Sequence, residues 1–231
     1  MTVQVDIKAL FEAGVHFGHK TSRWHPKMAP YIHSKRQGSH IIDLTKTVEA
    51  LDKALPFLTK VAATGKPILF VGTKKQAKAI AKAAAEQSGM PYVTERWIGG
   101  MLTNVATTNA QVKKLKDLER RMASGDLEKR YNKLEVQRFQ EEIDSLNLKY
   151  GGIKNMNGRP VALVVFDVLT DANAINEARN LNIPVVGIVD TNADPSRVEY
   201  PIPGNDDAIK GLQLLADYFV QAIAEGKNKE N

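Results

Sequence analysis

At 231 residues with 43% apolar side chains, the chain can bury one sizeable core, and no apolar run approaches the length of a membrane span. The absence of cysteine excludes disulfides, thiolate metal sites and cysteine nucleophiles. A net charge of +6 from 32 basic and 26 acidic residues favours a polyanionic partner. Met1 to Leu10 already holds Asp6 and Lys8 and has no apolar run before a cleavage-like site, so no signal peptide is expected and the cytoplasm is the expected compartment.

The first predicted element is a helix capped by Asp6 and ended before Gly14. Residues 13–42 then contain no carboxylate, yet they carry Lys20, Arg23, Lys27, Lys35, Arg36 and all five histidines, with Phe17, Trp24 and Tyr31 between them. Cations replace condensed counterions on a nucleic acid and planar rings cover sugars or bases, so this run reads as a docking surface for phosphates. It is expected to be loop with a short extended pair around Tyr31 and Ile41. His16, His19 and His25 are the first trio to weigh as zinc ligands. With no thiolate or carboxylate in the run, the histidines fit phosphate contacts or packing under Trp24 better.

A second helix opens at Asp43-Leu44-Thr45, with Val48, Leu51, Leu55 and Leu58 at helical spacing and Gly65 and Pro67 as its stop. Ile68-Leu69-Phe70-Val71 is a buried strand feeding an alanine-rich helix from Lys75 to Glu86, and Pro91-Tyr92-Val93 offers a short further strand. The turn Gly72-Thr73-Lys74-Lys75 lies where backbone N–H groups and a helix dipole favour an anion; it lacks Walker A spacing, and a polynucleotide phosphate competes with a plain strand-to-helix turn.

Residues 103–150 differ in character, with ten basic and eight acidic side chains. Val112, Leu115, Leu118 and Met122 form one stripe and Phe139, Ile143, Leu146 and Tyr150 another, with Ser124-Gly125-Asp126 as the turn. Two narrow stripes predict an antiparallel coiled-coil hairpin standing off the globular domain. The α/β pattern resumes with a strand over Val161 to Phe166, a helix from Asp171 to Asn180, a strand over Val185 to Val189 and a helix from Asp206 to Ala224. The expected fold is therefore α/β, a Rossmann-like (flavodoxin-like) three-layer parallel sheet made of residues 1–102 and 151–231, with 103–150 inserted.

Residues 156–231 hold six basic and eleven acidic side chains, which points away from RNA and toward solvent or protein. Asp167 and Asp190 follow strand ends and Asp194, Asp206 and Asp207 lie on later turns, so carboxylates can converge at the carboxyl edge of the sheet. A structural magnesium ion held by Asp190 with Asp206 or Asp207 competes there with N-capping of the last helix by Asn205 or Asp206, and no other cofactor is expected. Asp190-Thr191-Asn192-Ala193-Asp194 imitates half a calcium loop, but Pro195 at the glycine position excludes an EF-hand. No nucleophile, base and orienter belong together. A magnesium-dependent nucleotide enzyme using the aspartates and a protein adaptor using the hairpin are the competing readings.

Five motifs in series resemble the ribosomal protein S2 family: the run from Ala13 to Trp24 with Pro26-Lys27-Met28, Gly72-Thr73-Lys74-Lys75-Gln76-Ala77, Arg96-Trp97-Ile98-Gly99-Gly100-Met101-Leu102-Thr103-Asn104, Asp190-Thr191-Asn192 with Asp194-Pro195, and Pro203-Gly204-Asn205-Asp206-Asp207-Ala208. The resemblance implies a non-enzymatic subunit of the bacterial small ribosomal subunit. It would bind ribosomal RNA between head and body and help anchor ribosomal protein S1, with no membrane and no small-molecule substrate. Taken with the charge pattern, it makes Lys20, Arg23, Trp24, His25, Lys27, Lys35, Arg36, Lys74, Lys75, Arg96, Asn104, Lys113 and Lys114 the expected RNA contacts. Trp97 is expected to anchor packing rather than to stack on bases.

Overall fold

The computed structural model describes residues 3–228, so the last three residues of the expected second segment lie outside the described residues. Five parallel strands form the central sheet in the order β5 (Tyr92–Val93), β4 (Ile68–Val71), β6 (Ala162–Val165), β7 (Val185–Val189) and β8 (Tyr200–Pro203). Counted along the chain within this sheet, the order is 2-1-3-4-5, the flavodoxin-type doubly wound arrangement. β4, β6 and β7 are buried at every position, as their unbroken apolar runs require when both faces are covered.

One face, with Phe70, Val164, Phe166 and Ile188, packs against α1 (Ile7–Glu12), α2 (Leu44–Ala62), α3 (Lys78–Ser88) and α8 (Ile209–Lys227). Leu69, Val71, Leu163 and Val165 on the other face meet α7 (Ala172–Asn180) and the base of the inserted helices. Asp6 and Asp43 cap α1 and α2 by accepting from Lys8 N and Thr45 N, as read from sequence.

β8 was not expected, because Pro201 and Pro203 break a strand pattern. Gly204 N donates to Val189 O, so residues of even number face β7 and both prolines fall where an N–H would point away from the sheet. The prolines blunt a free edge rather than interrupt a ladder.

The insertion is a helical hairpin of α4 (Val105–Ala123) and α6 (Lys133–Tyr150), with one correction. Ser124-Gly125-Asp126 is not the whole turn: a short helix α5 (Asp126–Arg130) follows, burying Leu127, and α6 restarts under a reciprocal cap between Asn132 and Glu135. Leu115, Leu118, Ile143, Leu146 and Tyr150 are buried and continuous with the core beneath the sheet.

Residues 13–42 fold more fully than expected. β1 (Phe17–Lys20), β2 (Ile32–Arg36) and β3 (Ser39–Ile42) form a small antiparallel sheet in the order β1-β3-β2. Arg36 pairs with Ser39 across a two-residue turn in which Gln37 and Gly38 both have positive φ, 48° and 78°, the type I′ geometry that matches strand twist.

Candidate nucleic-acid interface and the carboxylate cluster beside it

The small sheet is locked to the domain by the loop after β7. Thr191, fully buried, accepts His25 N at its carbonyl (2.7 Å) and His19 N at Oγ1 (2.9 Å). Gly18 lies so close that a Cβ there would sit 2.6 Å from Thr191 Cγ2, so only glycine lets β1 reach this loop. Asp194 accepts from Lys27 Nζ at 2.8 Å and from Ser196 N and Oγ. Burial opposes its ionisation, but those donors and the Lys27 charge hold its carboxyl far below the usual range. The Asp190-to-Asp194 motif thus grips the basic segment.

What faces outward is the expected set in part. Lys20, Arg23, Lys35 and Arg36 are exposed on or beside the small sheet and make no ion pair among the described residues. Trp24 is 38% exposed, its ring tilted over His40 at a centroid distance of 5.2 Å. His25 is half-buried and accepts from Lys27 N, and Lys27 is paired as described. Lys75, Arg96 and Lys113 are exposed. Lys114 is paired with Glu142, and Asn104 caps α4 by accepting from Thr107 N at 3.4 Å.

The histidines considered as a trio serve three separate roles. His16 is buried and stacked on Phe11 (4.3 Å) and packed against Phe17 (4.1 Å), while His25 caps a turn. His19 Nδ1 lies 3.0 Å from Asp190 Oδ2 and its Nε2 lies 3.6 Å from Asp207 Oδ2. The hydrogen bond to Asp190 raises the His19 pKa against the effect of burial.

Lys74 corrects the sequence expectation most sharply. Its ammonium, expected to meet RNA, is only 19% exposed and lies 2.6 Å from Asp206, 2.6 Å from Asp207 and 3.4 Å from Asp167. Burial would lower its pKa, but the hydrogen bonds to Asp206 and Asp207 and the surrounding negative charge raise it. Ligand atoms of His19, Asp206 and Asp207 lie within 4.8 Å of one another, yet a cation already stands between the two aspartates at the place considered for magnesium. Asp190 turns instead to His19. Asp206, buried and facing the charges of Asp167 and Asp190, has its carboxyl pushed up to about 7.

The anion seat of the Gly72-Thr73-Lys74-Lys75 turn is also filled from within. Asp171 accepts from Thr73 N (3.2 Å) and Thr73 Oγ1 (2.7 Å), so a protein carboxylate takes the position read as a phosphate site. Ala77 N and Lys78 N both donate to Lys74 O, so residues 74–77 form a hydrogen-bonded turn and α3 begins at Lys78 rather than Lys75. Burial pushes the Asp171 carboxyl up to about 6. β4 and β6 flank the point where the strand order reverses, the ligand crevice of such sheets. Here that crevice is packed with internal ion pairs.

Sequence reasoning missed Glu177. From α7 its carboxylate accepts Trp97 Nε1 (3.0 Å), Gly100 N (2.7 Å), Leu102 N (3.0 Å), Thr103 N (3.2 Å) and Thr103 Oγ1 (3.1 Å). Burial opposes ionisation, but these donors hold the carboxyl below its ordinary value. One side chain thereby fixes the loop that launches α4, and Trp97 is buried as an anchor. A polar residue on an otherwise ordinary helix gives no local sign of such a role.

Among the described residues no helix is long and apolar enough to cross a membrane. The family model for ribosomal protein S2 matches residues 10–226, which spans both halves of the sheet, the basic segment and the inserted hairpin. Proteins of this family are structural components of the small ribosomal subunit and not enzymes, and the chain belongs to the ribosomal protein S2 family.

Proposed function

We propose that this chain binds small-subunit ribosomal RNA through the small antiparallel sheet, between the head and body of a bacterial subunit, and helps to anchor ribosomal protein S1. The observation that carries the RNA reading is the set Lys20, Arg23, Lys35 and Arg36: exposed, free of ion pairs among the described residues, and carried with Trp24 on the small sheet and the turns beside it. Free cations on a fixed surface release counterions when they meet phosphates, whereas paired ones such as Lys114 must first lose a partner. Lys75, Arg96 and Lys113 extend the same reading along the exposed surface. No cofactor is needed at the sheet edge, because Lys74 supplies the positive charge between Asp206 and Asp207.

The test is binding to a small-subunit RNA fragment over a salt series. Charge reversal by Lys35→Glu with Arg36→Glu should weaken binding and lower the slope of log affinity against log salt by about 1.8, near 0.9 per duplex phosphate contact. Unchanged affinity and slope in a folded double variant would reject this face as the RNA contact.

A further inference from the structure

A cleft of about 560 Å³ lies between the loop after β6, the last turn of α7 and the loop after β7. It is separate from the packed crevice between β4 and β6. Two of the few cations in the acidic C-terminal half, Arg179 and Arg197, line it together with His25 and Lys27 of the basic segment. Arg179 is exposed and makes no side-chain hydrogen bond or ion pair among the described residues; Arg197 uses Nη2 on Asn176 at 2.8 Å and keeps its other donors. The acid in the lining, Asp194, is already satisfied by Lys27 and Ser196. Val168 and Ala193 make an apolar floor, and Leu169, 50% exposed, stands at the wall.

A bare phosphate would leave the leucine and valine uncovered, and an apolar peptide would leave two guanidinium groups without an anion. A nucleotide carries both an anion and a flat apolar face, and the cleft is of small-ligand size, so neither a duplex nor a folded partner enters it. We propose that this cleft receives one unpaired ribonucleotide of the small-subunit RNA, with its phosphate on Arg179 and Arg197 and its base against Leu169; the inference rests on the RNA-binding reading above. The RNA-facing surface then reaches past the basic segment onto the acidic half at this one place.

The test compares a fluorescent single-stranded tetraribonucleotide, its abasic counterpart and the long RNA fragment, with folding of each variant checked by circular dichroism. Arg179→Gln with Arg197→Gln should weaken tetranucleotide binding about tenfold and lower its salt slope by about 0.7, from the one single-strand phosphate contact. Leu169→Ala, which leaves every charge in place, should weaken the tetranucleotide and leave the abasic strand unaffected. Lys35→Glu with Arg36→Glu should weaken the long fragment and leave the tetranucleotide unchanged. Equal tetranucleotide affinity in the arginine variant and the parent, or no tetranucleotide binding by a protein that holds the long fragment, overturns the cleft. Loss of the long fragment alone, with the tetranucleotide still sensitive to Arg179 and Arg197, overturns the wider face and upholds the cleft.

Discussion

Glu177 Oε1 accepts the indole N–H of Trp97 at 3.0 Å and the backbone N–H of Gly100 at 2.7 Å, so one oxygen ties a buried ring to the turn three residues later. Gly100 has φ +90°, a backbone state that strains any other residue, and the carboxylate stabilises it. Glu177→Ala removes the acceptor for five donors and should destabilise the fold by about 2–3 kcal/mol, read from urea unfolding. Glu177→Gln should recover only part of this, since its NH₂ group would face N–H donors. Trp97 emission, followed in a Trp24→Phe background, should shift toward that of a solvated indole in the alanine variant.

The cluster around Lys74 sets a pH dependence. The Asp206 and Asp171 carboxyls are pushed up to about 7 and about 6 by burial, with neighbouring aspartates adding to it, and His19 is raised by its hydrogen bond to Asp190. Raised folded-state values mean that these groups contribute stability at low pH which is lost as pH rises through them. The lowered Glu177, Asp167 and Asp194 carboxyls act oppositely and lose their contribution as pH falls below the ordinary carboxylate range. Stability should peak between about pH 4 and 5 and decline as pH rises to about 7. Asp206→Asn should flatten the decline in the unfolding midpoint; an unaltered slope would contradict the assignment. Lys74→Met should cost about 3–5 kcal/mol, because it strands buried charge.

Gly18 and Thr191 form a contact that substitution can probe in pairs. Gly18→Ala brings a methyl within 2.6 Å of Thr191 Cγ2 and 3.1 Å of the His40 carbonyl, and should destabilise by about 1–3 kcal/mol. Thr191→Ser deletes Cγ2 and keeps the hydroxyl that accepts from His19 N. The double variant should therefore lose less than the sum of the singles, a coupling measurable by chemical denaturation.

Asn132 begins α6 by accepting from Glu135 N at 2.9 Å, while Glu135 returns the bond to Asn132 N. Asn132→Ala should cost about 1 kcal/mol locally. Amide exchange at Glu135 and Val136 should accelerate while the amides of β4 and β6 keep their protection.

The sheet was legible where burial dictates composition. Val185 to Val189 and Ile68 to Val71 match the observed strands residue for residue, because a strand covered on both faces has no room for polar alternation. β8 was hidden by Pro201 and Pro203, whose tolerance depends on which edge faces solvent, a fact of topology. The cations of the basic run were legible as charge, but their availability was not. Lys74 looks like Lys75 in sequence and differs only because Asp206 and Asp207, far along the chain, fold onto it. Glu177 was invisible for the same reason: its partners lie on a loop distant in sequence.

Thr191 touches the basic segment at two backbone N–H groups, His19 and His25, and stands two residues past the end of β7, an inner strand of the sheet. Whatever meets Lys35 and Arg36 therefore meets a surface whose spacing is referenced to the sheet itself. Much of the loss of chain freedom that binding would otherwise impose on this segment has already occurred during folding. If this surface meets RNA as proposed, it would act as a gauge, discriminating between RNA shapes by the distances between their phosphates where a loose basic tail would accept any of them.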